Sequence, residues 1–171
     1  MPNKTIEEMP REDLLRMIDM YAKNGLAMDG VWFQSIERKF GMDEAIEHDE
    51  NAWRVFAVAE AERIRKFLNL PDRAGIDGLR RALALRMNSN INQDEIIVEG
   101  NTLVYRTIDC RVQTARARKG LPFHPCKSVG VIEYTGFAKA IDDRFNCEAI
   151  SCFPEVTDET CSCSWKFVLI I

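Results

Sequence analysis

Residues 95–110, EIIVEGNTLVYRTIDC, decide the fold. Two runs rich in β-branched and aromatic residues flank Gly100-Asn101, a dipeptide suited to a tight two-residue turn. They read as a hairpin whose second strand delivers Cys110 at its end. Near Asn92 the apolar periodicity changes from helical to strand-like, and no repeat or low-complexity segment appears. The chain therefore reads as a single domain over 1–171, with a helical part at 1–90 and a sheet-forming, cysteine-rich part at 91–171.

Upstream, Pro10 followed by Arg11, Glu12 and Asp13 marks a helix start, with acids in the first turn. Leu14, Ile18, Ala22, Gly25, Trp32 and Ile36 recur at helical spacing as far as Phe40, where Gly41 ends the run. Asp29 interrupts this apolar face, and a break at Asp29-Gly30 is one explanation. A second helix is predicted from about Met42 to Leu68, with Asp49 and Glu60 on its apolar face. Buried carboxylates cost several kcal/mol unless partnered, so Asp29, Asp49 and Glu60 need counter-charges or a ligand. Arg63 or an arginine of the third helix, about Gly75 to Asn88, supplies the simplest partner. Glu44 and His48 stand four apart, not the three of a carboxylate-bridged di-metal motif.

Downstream, Arg111 to Lys119 forms a short basic helix stopped by Gly120. After the loop Leu121–Pro125, Cys126-Lys127-Ser128 opens a helix through Val129, Glu133, Phe137 and Ile141. Two strands close the chain. In the last, Cys161, Cys163, Trp165 and Phe167 alternate with polar positions and share one side of the sheet. Trp32, Trp53 and Trp165 all fall on predicted inner faces. The fold class is α+β: N-terminal helices, then an antiparallel sheet built from a hairpin, two helices and two strands, with helices packed on it.

The totals set bounds. At 171 residues the chain buries roughly two-thirds of its unfolded surface and needs no metal or disulfide merely to form a core. A net charge of −4 does not attract nucleic acid. No apolar run reaches membrane-spanning length and the N-terminus lacks a secretory h-region, so a cytoplasmic location is expected. There thiols stay reduced, and clustered cysteines point to metal or catalysis before disulfides. The final strand at Ile170-Ile171, if exposed, would offer an edge for pairing into a homodimer.

All six cysteines lie between Cys110 and Cys163. The tail reads C-x4-C-x8-C-x-C, which matches no zinc ribbon or finger and lacks the C-x2-C run of an iron–sulfur protein. Folding rather than spacing would have to assemble a zinc site. Its expected ligands are Cys110, Cys126, Cys152 and Cys163, with Cys147, Cys161 or His124 as substitutes. Alternatively Cys126 is a nucleophile. It stands at a helix N-terminus, where backbone N–H groups of Lys127 and Ser128 favour an anion, with Lys127, the basic patch and His124 nearby. Arg111 and Arg116 on the basic helix suit a solvated face or a clamp on a carboxylate ligand. Reduced cysteines that merely pack are the third reading.

The patterns CRVQTARARKGLPFHPCKSVG, EYTGFAKAIDDRF, C-x4-CFPE and CSCSWKF, with DGVWFQSIERKFGMDEAIEHDENAWRVFAVAEAERI in the first half, resemble a family of uncharacterised prokaryotic proteins. The chain is also distantly similar to the L-2-amino-thiazoline-4-carboxylic acid hydrolase-like proteins and to the 4-vinyl reductase (hydrocarbon-binding) domain. In the latter a glutamate, a cysteine, a loop and a second cysteine near a final aromatic strand recur, an order that Glu148, Cys152, Cys163 and Trp165 fit. The loop glycine expected between them is absent, and Cys147 and Cys161 are extra. These resemblances imply helices on an antiparallel sheet around a small-molecule pocket, and they make a cysteine-bound metal an expectation. Three functions follow: a small-molecule-binding domain with a cysteine-bound metal, a hydrolase of C–N or C–S bonds, or a purely structural domain.

Overall fold

The computed structural model describes residues 3–170. A short helix α1 (Lys4–Glu7) precedes two long ones, α2 (Arg11–Phe40) and α3 (Met42–Leu68). Helix α2 runs unbroken through Asp29-Gly30, because one interior glycine costs only about 1 kcal/mol against alanine. Its buried residues are Ala22 and Phe33, while Trp32 stands 70% exposed, contrary to the inner-face expectation. Of the predicted stripe from Leu14 to Ile36, Ala22 is buried and Leu14, Gly25 and Ile36 are half-buried, so only Ile18 and Trp32 turn outward, and Phe33 packs in place of Trp32. Between α2 and α3 the chain reverses at Gly41, whose φ of 96° lies in the region that favours glycine.

Helix α4 (Gly75–Leu83) is shorter than predicted, and a 3-10 turn at Met87–Asn90 replaces its last part. The hairpin forms as expected from β1 (Gln93–Glu99) and β2 (Thr102–Asp109). Then come α5 (Arg111–Arg118), α6 (Lys127–Ile141), β3 (Phe145–Cys152) and β4 (Cys163–Leu169). The sheet is antiparallel in the order β1-β2-β4-β3. The α+β class is thus correct. The last strand, however, is internal and offers no edge for pairing; β1 and β3 are the edges, and Ile171 lies outside the described residues. Cys161 falls before β4, not in it.

One face of the sheet carries the core. Leu103, Tyr105, Trp165 and Phe167 meet Tyr134, Phe137 and Ile141 of α6 and the small residues Ala57 and Ala61 of α3. Helix α6 comes very close to the sheet beside the sulfurs. A Cβ on Gly130 would lie 2.5 Å from two carbons of the Trp165 ring, so only glycine fits there.

A buried ion network ties the helices together. Arg86 is 1% exposed and sits between Glu60 of α3 and Glu133 of α6. Its Nε donates to Glu60 Oε2 at 2.9 Å, and one terminal nitrogen lies 2.8 Å from Glu60 Oε2 and 2.7 Å from Glu133 Oε1. Glu60 also accepts the Met87 N–H at 2.9 Å. The guanidinium carbon lies 4.7 Å from the Phe137 ring centroid and 5.3 Å from that of Tyr134. Glu60 therefore has its partner in an arginine of the predicted third-helix stretch.

Two stability outcomes are expected. Arg86→Met leaves two uncompensated buried carboxylates and should cost about 3–5 kcal/mol in urea unfolding. Gly130→Ala overpacks the ring of Trp165 and should cost roughly 1–3 kcal/mol, with near-ultraviolet circular dichroism reporting the displaced indole.

Candidate functional site

A cavity of about 750 Å³ opens between α2, the 3-10 turn, α5 and α6, with β2, β3 and β4 contributing its floor. It brings together residues drawn from most of the chain: Asp29, Asp49, Cys110, His124, Cys126, Cys152 and Cys163 all line it, as do Arg111 and Arg116. Glu60 does not, nor do Cys147 and Cys161. Cys147 pairs in register with Phe167, its thiol pushed up to about 12 by burial. Cys161 turns to Asp158, with Sγ 3.5 Å from Oδ2.

The sulfurs sit in a row. Cys126 Sγ and Cys152 Sγ are 3.6 Å apart, and Cys152 and Cys163 are cross-strand neighbours in register. The Trp165 indole N–H donates to Cys163 Sγ at 3.4 Å. Cys110 borders the same cavity, its thiol pushed up to about 12 by burial. Among the described residues, no three His, Cys, Asp or Glu side chains converge on one point in the way a metal ion needs. All six cysteines are free.

His124 is fixed from three sides. Its Nε2 lies 3.3 Å from Asp49 Oδ2, and the Phe33 ring meets it edge-on at 4.7 Å between centroids. The Gln113 amide clamps its backbone, Nε2 donating to the His124 carbonyl at 2.8 Å and Oε1 accepting the His124 N–H at 3.0 Å. Gln113 Nε2 also reaches Cys126 Sγ at 3.6 Å. Nδ1 of the imidazole is buried with no hydrogen-bond partner, and Cys126, two residues on, faces the same cavity. The result is a line Asp49–His124–Cys126 at the foot of the cavity.

This geometry favours charge separation. The hydrogen bond from Cys152 and the nearby His124 imidazolium outweigh burial and bring the Cys126 thiol down to about 5. Against burial, which works the other way, Asp49 and Cys126 hold the His124 imidazolium up to about 9. Between those values Cys126 is a thiolate beside a protonated imidazole. Cys163 is also lowered, chiefly by the neighbouring Cys152, and Cys152 is raised, chiefly by Cys126. Across the cavity, partial desolvation and the charge of Asp49 raise Asp29 to about 6, although its side chain still reaches solvent.

The predicted electrostatic helpers are mostly engaged elsewhere. Lys127 pairs with Glu155, and its backbone N–H donates to the Phe153 carbonyl at 3.1 Å, so it holds no anion. Arg116 is buried against both oxygens of Glu37 at 2.9 and 2.6 Å. Arg111 lines the cavity and makes no ion pair among the described residues. Glu148 faces away on the outer side of the sheet, paired with Lys166. Gln113 and Phe33 were not foreseen. Neither breaks a periodicity, and a lone glutamine on a basic helix carries no signal.

Residues 7–169 match a family of unknown function, DUF6125, and the chain belongs to that family. No curated protein and no solved structure matches the chain significantly. These comparisons do not tie it to the thiazoline-carboxylate hydrolase-like proteins or to the 4-vinyl reductase domain.

Alkylation by iodoacetamide reads the sulfur row directly. A thiolate of lower pKa is intrinsically less nucleophilic, so at neutral pH Cys126 gains little over an ordinary thiol. At pH 5.5 an ordinary thiol is almost wholly protonated, and Cys126 should label roughly 40-fold faster than one with a pKa near 9. Its rate should stay flat from about pH 6 to 8 and fall as pH drops through about 5. Cys152→Ala should remove most of the low-pH advantage and His124→Ala a part of it.

Proposed function

We propose that this protein binds a small molecule in the cavity and cleaves a C–N or C–S bond in it, with Cys126 as nucleophile. The observation that carries the reading is that Cys126 and the Asp49–His124 pair face one cavity of about 750 Å³. Cys126 Sγ would add to an electrophilic carbon and His124 would hand its proton to the leaving amine or thiol, giving a covalent acyl-enzyme. Water, its proton taken by the now neutral imidazole, would then release the acid and restore the thiolate beside the protonated imidazole. Asp49 keeps the ring oriented and stabilises its protonated form, the role a carboxylate plays in such triads. The sequence resemblance to thiazoline-carboxylate hydrolase-like proteins points the same way. Reduced thiols, which this chemistry needs, fit the cytoplasmic location expected from the sequence.

A second reading has one observation in its favour. Two sulfurs bound tetrahedrally to zinc at about 2.3 Å each lie about 3.8 Å apart, close to the Cys126–Cys152 separation of 3.6 Å. Cys163 would supply a third thiolate and His124 or Cys110 a fourth ligand. Such an ion would make the domain a metal-bearing binding module.

One pair of measurements separates them. Metal analysis of untagged protein comes first. A panel of small amides, thioesters and cyclic amidines is then offered to wild type and to Cys126→Ser. Turnover of any member by metal-free protein, lost by ~10²-fold or more in Cys126→Ser, supports the hydrolase. Stoichiometric zinc with no turnover supports the binding module and removes the nucleophile.

A further inference from the structure

We infer that Cys126 and Cys152 form a dithiol that a hydroperoxide closes to a disulfide, a reversible modification that takes the nucleophile out of the cavity. The inference builds on Cys126 as the reactive sulfur of the proposed function, but it is read by different chemistry.

Three structural facts carry it. The sulfurs are already in contact at 3.6 Å, and both cysteines line the cavity through which a small oxidant arrives. Their backbones are held side by side, because the residues that follow them are bonded: the Lys127 N–H donates to the Phe153 carbonyl at 3.1 Å. Reaching a disulfide length of about 2.05 Å then needs about 1.5 Å of sulfur movement, within the range of side-chain rotation at two tethered positions. Finally, the other sulfurs are worse placed. Cys147 and Cys161 lie off the cavity, and Cys110 makes no hydrogen bond to another sulfur. Cys163, although opposite Cys152 in register, bonds through its sulfur to the Trp165 indole N–H at 3.4 Å and not to a second sulfur.

The step balances with one named co-reactant, a hydroperoxide. The Cys126 thiolate attacks the distal oxygen of ROOH, the O–O bond breaks, and the leaving alkoxide takes one proton, giving Cys126–SOH and ROH. The Cys152 thiol then attacks the sulfenic sulfur, forming the S–S bond and releasing water. Two electrons pass from the two thiols to the peroxide. Reduction by a small thiol through exchange restores the pair.

The test uses the full chain, reduced, treated with a chelator, desalted and exposed to a small excess of hydrogen peroxide. The intact mass should fall by two hydrogens, and digestion should link the peptide holding Cys126 to the one holding Cys152, fragmentation assigning the cysteine. Cys163→Ser should keep that link. Cys152→Ser should instead accumulate a Cys126 sulfenic acid that dimedone captures, with far-ultraviolet circular dichroism confirming that it folds. Equal dimedone capture by wild type and Cys152→Ser overturns the inference. So does a link at Cys110, Cys147, Cys161 or Cys163 in place of Cys126–Cys152. Low-pH alkylation of untreated wild type separates the two ideas. A disulfide without selective alkylation leaves the inference standing and removes the hydrolase reading, and the reverse result does the opposite.

Discussion

The rest of the structure depends on one buried cation. Arg86 lies where α3, α6 and the 3-10 turn meet, hydrogen-bonded to Glu60, ion-paired with Glu133 and covered by the rings of Phe137 and Tyr134. A buried ion pair is a poor source of net stability, because desolvation offsets most of the attraction. Its value here is positional. An apolar contact would hold α3 and α6 at many similar offsets, whereas a guanidinium held between two carboxylates accepts few. Since α3 carries Asp49 and α6 begins at Cys126, fixing their offset also fixes the back wall of the cavity.

From that frame the site follows by convergence. Four segments meet at His124: α3 through Asp49, α2 through Phe33, α5 through Gln113, and its own proline-bounded loop. The sulfurs come from the start of α6 and from two adjacent strands. Gly130 admits Trp165 so closely that the indole N–H can reach Cys163, which couples sheet packing to the electrostatics of the sulfur row. The same arrangement explains why the basic helix matters less than its charge suggests. Arg116 is consumed by Glu37 in docking α5 to α2.

Much of the fold was legible in the sequence because it rests on local signals. The bounds of α3, the Gly100-Asn101 turn, both closing strands and the placing of Cys126 at a helix start all follow from periodicity and turn chemistry. The errors occur where tertiary contacts decide. Trp32 fits an apolar stripe on paper, yet Phe33 one residue on is the side chain that packs. The final strand reads as an edge by position in the chain, but the crossover puts it between β2 and β3. Within the site, Cys126, His124, Asp49 and Asp29 carried visible signals: a helix terminus, a loop histidine, and acids on apolar faces. That His124 joins Asp49 to Cys126 could not be read, since the three are linked only by folding.

Gln113 exposes a weakness that no count of cysteines reveals. Its amide uses both ends at once, donating to the His124 carbonyl and accepting the His124 N–H. Among side chains of that length only a carboxamide does both, since a carboxylate has no donor. Slow deamidation, an ordinary route of chemical ageing, would replace the donor with a negative oxygen facing a carbonyl. The loop bearing His124 would lose its hold while every thiol stayed intact. An aged preparation of this protein would then pass a thiol assay and still have lost its imidazole from the line.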